Sequence, residues 1–163
     1  MKAVRLCAVI AVALALQTTL ARFLVRGAIG VDLGLVAVVY LSLTSGPRTG
    51  IVAGTVAGLA QDALTSGMVG IGGLAKTLVG YLAGTLGTAF IIARPLPRFL
   101  VFFASTVVEL VVVSAFHLLL DPGPSVLPVG GFVAQAFGNA MVGIVVFQLV
   151  EVVPRAIAGR EKR

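Results

Sequence analysis

Five polar residues inside long apolar runs are the ones whose side chains could do chemistry. Asp62 and Lys76 stand in "QDALTSGMVGIGGLAKTLVGYLAG" (61–84), Glu109 and His117 in "LVFFASTVVELVVVSAFHLLL" (100–120), and Asn139 in the last run. A buried acid and a buried ammonium can form an ion pair, and a lone buried acid can carry a proton or bind a substrate. An unpaired ionisable group near the middle of a membrane costs at least ~2.5–3.5 kcal/mol, so we expect partners for these charges.

The sequence contains no pattern typical of catalysis. It has one histidine and one cysteine on different runs, and it lacks His-Glu-x-x-His and Gly-x-Ser-x-Gly. A metal site needs more ligands than His117 offers, and we expect interfacial hydrogen bonding there, with Asp121 four residues away. We therefore predict no enzyme activity, no cofactor and no metal.

Composition indicates a membrane protein. Of 163 residues, 59% are hydrophobic and 11% are charged, and the mean hydropathy is +1.13. The net charge of +6 comes from small basic groups between apolar runs, which indicates topology and argues against nucleic-acid binding. A lone Cys7 excludes an intrachain disulfide.

Six apolar runs predict an all-α polytopic membrane protein with about six transmembrane helices in a single integral membrane domain, residues 1–163. Five helices is the alternative. The first run resembles a signal peptide in its basic start, but it is longer than the ~7–15 residues of a typical apolar signal region. The predicted spans cover residues 4–21, 30–44, 49–64, 74–93, 99–120 and 132–153.

Basic residues are distributed unequally between alternate loops. One side of the membrane would carry nine Lys and Arg and the other only Arg22 and Arg26, leaving Lys76 out because it lies at a span. Because basic loops stay in the cytoplasm, both termini are predicted to be cytoplasmic. The basic tail "PRAIAGREKR" is interpreted as a stop-transfer segment, with an anchor to anionic lipid or a cytoplasmic partner as the alternative.

Glycines recur every four residues on two neighbouring spans, together with one charge on each. Small residues at this spacing let two helices approach closely in lipid. We expect a hairpin in which the two stripes face each other and Asp62 pairs with Lys76, closed by a glycine-rich turn (65–73) whose backbone needs positive φ. The stripes are Gly50, Gly54, Gly58 and Asp62 on the third span, and Lys76, Gly80, Gly84 and Thr88 on the fourth.

Two further polar positions lie within spans. Glu109 is ten residues into the fifth span, about 15 Å deep, and could serve as a proton or substrate site. We favour a structural role, in which a neutral carboxylic acid is hydrogen-bonded to a neighbouring helix. Gln135, Asn139 and Gly143 form another four-residue stripe, and the amides are interpreted as hydrogen-bonding links between helices.

The segment 45–87 resembles the rod shape-determining protein MreD family. The matching features are the glycine-rich span that ends in Asp62, the turn "VGIGGLAKT" with Lys76, and "LVGYLAG" after it. "VDLGLVAVVYLSL" (31–43) is similar to the family's early Pro-Asp-Leu run, with Val31 in place of proline, and Asn139 in "FGNAMVG" is similar to an asparagine of its last span. The resemblance covers most of the chain.

The resemblance implies a non-catalytic protein of the bacterial cytoplasmic membrane, similar in fold to substrate-binding subunits of energy-coupling-factor vitamin transporters. The resemblance also implies that the protein acts in the cell-wall elongation complex, which maintains rod shape. The implied partners are an MreC-like single-span protein, the MreB-like cytoskeleton, a peptidoglycan glycosyltransferase and transpeptidase, and the lipid bilayer.

Two other functions stay open from the sequence. A vitamin-transporter subunit would have a similar size, and Ala11 and Ala15 form a small-residue pair that could dock a transmembrane partner, but the chain has no tryptophan and two tyrosines to surround a ligand. A proton-coupled transporter centred on Glu109 is the other alternative.

Overall fold

The computed structural model describes residues 2–24, 30–65, 69–89, 95–120 and 129–160, with side chains described within 6–19, 30–65, 69–89, 95–120 and 130–150. Over these residues the chain forms six α-helices, and each overlaps one of the six predicted apolar runs. The helices are α1 (Lys2–Leu24), α2 (Leu33–Ser45), α3 (Pro47–Leu64), α4 (Ile71–Ala89), α5 (Pro95–Leu120) and α6 (Val129–Arg160).

Among the described residues, two helices are long and apolar enough to cross a membrane by length and composition. They are α5 over its whole length, Pro95–Leu120, and the part of α6 from Gly130 to Val150. Shorter apolar helical segments cover Leu6–Thr19 and Leu33–Ser45. Six membrane crossings therefore stay a prediction.

The junction between α2 and α3 is a single residue, Gly46. Its φ of +86° lies in the region that favours glycine, and its N–H donates to the carbonyl oxygen of Ser42 at 2.9 Å, which caps the end of α2. Pro47 follows at the start of α3, where its missing N–H costs nothing. The chain therefore reverses into α3 without a loop.

The predicted glycine hairpin is present between α3 and α4. A methyl group added to Gly50 would overlap the backbone of Gly80, and one added to Gly54 would overlap the carbonyl of Lys76. The backbones of the two helices are therefore in direct contact, as small-residue stripes allow. Gly70 has a φ of +109°, in agreement with the predicted turn, while residues 66–68 of that turn lie outside the described residues.

Helix α2 forms the centre of the bundle although it is the shortest helix described. Every residue from Gly34 to Ser42 is buried, and α2 contacts each of the other five described helices. Leu35, Val38 and Val39 pack with Val79 of α4 and Phe102 of α5 in the core. Large apolar side chains are instead exposed on the outer helices, so the bundle presents an apolar exterior.

A buried cation–π contact lies near the start of α5. Arg98 is buried, and its guanidinium carbon is 4.1 Å from the centre of the Phe147 ring of α6. Tyr40 of α2 meets the same ring edge-on at 4.9 Å between centroids. This contact joins α2, α5 and α6 about 16 Å along α5 from Glu109.

Candidate functional site, a buried charged cluster

The ammonium group of Lys76 is held between two carboxylates inside the bundle. Lys76 lies in the second turn of α4 and is 3% exposed. Its Nζ donates to Asp32 Oδ2 at 2.8 Å and also to Glu109 Oε1 of α5. We call Asp32, Lys76 and Glu109 the charged cluster. A lysine held this way in an ion pair is not available as a nucleophile.

Among the three residues of the charged cluster, Asp32 forms hydrogen bonds with the largest number of helices. Its Oδ1 accepts the N–H of Leu35 at 2.9 Å, so it is the N-cap of α2. Its Oδ2 accepts the side-chain amide of Gln61 on α3 at 3.2 Å in addition to Lys76. Every contact favours the ionised carboxylate, and the residue ties the start of α2 to α3 and α4.

Asn139 joins α6 to the same place. Its Oδ1 accepts the backbone N–H of Asp32 at 2.8 Å, and its Nδ2 donates to Thr106 Oγ1 of α5 at 3.2 Å. Both Asn139 and Thr106 are fully buried. These hydrogen bonds are interhelical, which is the role interpreted from the sequence for the amides of the last span.

The predicted ion pair between Asp62 and Lys76 is wrong. Asp62 Oδ2 instead accepts the backbone N–H groups of Gly70 at 2.8 Å and Gly73 at 3.2 Å, so it caps the start of α4. The register of the hairpin explains the difference, because Lys76 lies opposite Gly54 and Asp62 lies against Gly72, about one helical turn away from Lys76.

Glu109 is buried at 5% exposure, and a neighbouring helix does supply its hydrogen bond. The donor is the ammonium of Lys76. The ion pair predicted from the sequence joins this ammonium to Asp62 instead. Glu109 therefore belongs to a charged cluster and is not an isolated acid.

The other predicted positions fall outside the charged cluster. Gly58 lies against Gly73, Gly80 against Gly50, and Gly84 against Pro47, all within the α3–α4 hairpin. Gly143 packs on the Phe102 ring. His117 is exposed, and its Nδ1–H donates to the carbonyl of Val113 at 2.9 Å, whereas Asp121 lies outside the described residues.

Sequence reasoning missed Asp32 and Gln61 as members of this site. The available signal for Asp32 was an acid directly before an apolar helix, which is a common N-cap pattern. That pattern predicts the bond to Leu35 but not the contact with Lys76, 44 residues away. Among the described residues no group of three or more His, Cys, Asp or Glu side chains is arranged to hold a metal.

The three residues of the charged cluster all lie within the part of the chain that matches a known family. The sequence model of the rod shape-determining protein MreD family matches residues 2–152, nearly the whole chain. The chain belongs to the MreD family. Members of the MreD family are non-catalytic membrane proteins that determine rod shape and associate with the cell-shape machinery. No curated protein and no solved structure matches this chain.

Proposed function

We propose that this chain is a non-catalytic scaffold and regulator of the cell-wall elongation complex in the bacterial cytoplasmic membrane. In this proposal it maintains rod shape by packing its helices against those of partner proteins. The observation that carries the proposal is the combination of an apolar exterior with buried hydrogen bonds and ion pairs that join the helices in the interior. Such a body offers surface for helix packing and has no catalytic set among its described residues.

The buried polar contacts between helices support the proposal of a rigid scaffold. Asp32, Lys76, Glu109 and Asn139 come from the start of α2 and from α4, α5 and α6, and each bonds to at least one of the others. Buried polar groups that bond to one another from different helices favour one arrangement of those helices. A scaffold needs such a fixed arrangement, because its partners bind to several helices at once.

The surface open to a partner does not include the two glycine stripes. The glycine stripes of α3 and α4 face each other, so they are not free for another helix. An apolar groove of about 390 Å³ lies between α1, α2 and α6, with Ala8, Ala13 and Ala37 among its lining side chains. We place the single span of an MreC-like protein in this groove, because small side chains permit close helix approach in lipid.

The remaining partners are assigned by family resemblance and topology. With both termini in the cytoplasm, the basic tail would meet the MreB-like cytoskeleton, and the outer faces of α5 and α6 would meet the peptidoglycan glycosyltransferase and transpeptidase. A fold similar to vitamin-transporter subunits is part of the same proposal.

A site-specific crosslinking experiment tests the groove. A photoreactive residue at Val12, which lines the groove and is 59% exposed, should capture the MreC-like protein in intact membranes. The matched control is the same residue at Leu74 of α4, which is 60% exposed and lies outside the groove. Captured proteins are identified by mass spectrometry after purification in mild detergent.

The proteins captured in this experiment distinguish a scaffold from a vitamin-transporter subunit. Capture of an MreC-like protein from Val12 and not from Leu74, with wall synthases co-purifying, supports the scaffold. Equal capture from both positions contradicts the groove assignment. Co-purification of an ATPase pair with its coupling subunit would replace the scaffold by a vitamin transporter, for which Ala11 and Ala15 are exposed on α1.

A further inference from the structure

A polar cavity adjoins the charged cluster at the end of the bundle where α3 ends and α4 begins. Its volume is about 310 Å³, and it lies between α3, α4, α5 and α6. At ~30 Å³ per molecule it has room for roughly ten waters or for one small organic molecule. Its apolar walls are supplied by Ile71, Leu110 and Val113. Its polar walls come mainly from Gln61, Asp62, Lys76, Glu109, His117 and Gln135.

Two buried acceptor atoms on the lining have no hydrogen-bond donor among the described residues. They are Glu109 Oε2 and Gln61 Oε1. The rest of each side chain is already engaged, since Glu109 Oε1 accepts from Lys76 and the amide of Gln61 donates to Asp32. Buried acceptors are rarely left without a donor, so these two atoms point to a ligand that brings donors.

His117 also lines the cavity, but its Nδ1–H already donates to the carbonyl oxygen of Val113 within α5. The acceptors whose donors are missing are thus Gln61 Oε1 from α3 and Glu109 Oε2 from α5.

The charges around the cavity are also unbalanced. Three carboxylates, Asp32, Asp62 and Glu109, line it, and Lys76 is the one lysine or arginine among the described lining residues. Asp62 is stabilised by two backbone N–H groups, which bring no net charge. Acidic side chains outnumber basic ones around the cavity, which favours a bound cation.

We propose that this cavity binds a small organic cation through a protonated primary amine. The ammonium donates to Glu109 Oε2 and Gln61 Oε1, and the carbon chain lies along Leu110 and Val113. A primary ammonium suits the site because it combines a positive charge with three donors. A metal ion is disfavoured, since no metal-binding group of side chains exists among the described residues. The binding site is independent of the scaffold proposal.

The test compares two ligands of nearly equal shape, butylammonium and butanol, on the full chain in a non-ionic detergent. Butylammonium should raise the unfolding midpoint in a saturable manner, and butanol should bind at least about tenfold more weakly because its hydroxyl lacks the charge. Equal effects of the two compounds would overturn the proposal, and so would the absence of any effect of butylammonium.

Variants locate the binding. Glu109→Gln should remove the preference for butylammonium, but it also disturbs the charged cluster. Val113→Phe therefore serves as the second variant, because it fills the cavity from an apolar wall and leaves every charge in place. Leu100→Phe is the control on the same helix, with 56% exposure and a position outside the cavity. Loss of binding in Val113→Phe but not in Leu100→Phe is expected, and unchanged binding in Val113→Phe would overturn the proposal.

Discussion

Lys76 Nζ lies 2.8 Å from Asp32 Oδ2, and the two residues are 44 positions apart in the chain. The acid nearer in sequence, Asp62, instead caps the helix that carries Lys76. The charged cluster thus depends on the placement of three helices and not on the turn between two of them. The stability of the bundle is therefore coupled across the whole chain.

Replacing Lys76 by methionine should destabilise the protein more than any other single change in the charged cluster. Asp32 and Glu109 would remain buried without the lysine that both of them contact. Removing one partner of a buried ion pair lowers the free energy of unfolding by about 3–5 kcal/mol. The free energy of unfolding in detergent measures the effect. Arg48→Met, on an exposed side chain, should change it by less than about 0.5 kcal/mol.

The triple variant Lys76→Met, Asp32→Asn, Glu109→Gln should be more stable than Lys76→Met alone. It removes the uncompensated charges together with their partner, and a buried ion pair replaced as a unit often costs little. A triple variant as unstable as the single one would show that the charges act separately.

A double-mutant cycle distinguishes the observed pair from the one the sequence suggested. Lys76 and Glu109 should show a coupling energy of about 0.5–3 kcal/mol in unfolding, because they are in contact. Lys76 and Asp62 should be additive within about 0.5 kcal/mol. Accordingly, the exchanged variant Asp62→Lys, Lys76→Asp should accumulate no better than either single variant, and its recovery would contradict the structure.

Gly54→Ala should disrupt the α3–α4 hairpin. The added methyl would overlap the backbone carbonyl of Lys76, which cannot move without separating the helices, so we expect a loss of at least about 1–3 kcal/mol. Gly131→Ala on α6 is the matched control, since nothing lies within 4 Å of its added methyl. The free energy of unfolding of the control variant should be unchanged or higher, because an α-helix is more stable with alanine than with glycine by up to about 1 kcal/mol.

Asn139→Leu should lower the free energy of unfolding by about 1–3 kcal/mol. It leaves the buried N–H of Asp32 without an acceptor and also removes the bond to Thr106. Thr106→Val loses the bond from Asn139 together with the bond from Thr106 Oγ1 to the carbonyl of Phe102, but it leaves the bond to the N–H of Asp32 in place, and it should cost about 1 kcal/mol. Gln148→Leu, exposed on the same helix, is the control, and equal stability of Asn139→Leu and Gln148→Leu would show that the interhelical bonds contribute nothing.

The helices and the hairpin could be predicted because their signals are local. The apolar runs located all six described helices, and the four-residue glycine spacing identified the contacting faces of α3 and α4. Family membership followed from the same segment, because the glycines, Asp62 and Lys76 occur together there.

The partners of the charges could not be predicted for a geometric reason. Periodicity places Lys76 on a face of α4, but the acid it meets depends on where α2 and α5 lie around α4. The register of the α3–α4 hairpin could not be predicted from the sequence either. A difference of one helical turn in this register is enough to separate Asp62 from Lys76. Asp32, at the start of an apolar run, shows only the pattern of a helix N-cap, which does not indicate a contact with a distant lysine.

The charged cluster also sets an order of events during synthesis. Asp32 leaves the ribosome 44 residues before Lys76, and Glu109 follows Lys76 by 33 residues. At about 5–20 residues per second, Asp32 waits roughly 2–9 s for its cation. Lys76 of the fourth helix therefore cannot reach Asp32 until both have been synthesised, and Glu109 completes the charged cluster only with the fifth helix. Asn139 of the sixth helix is the last of these residues to be added.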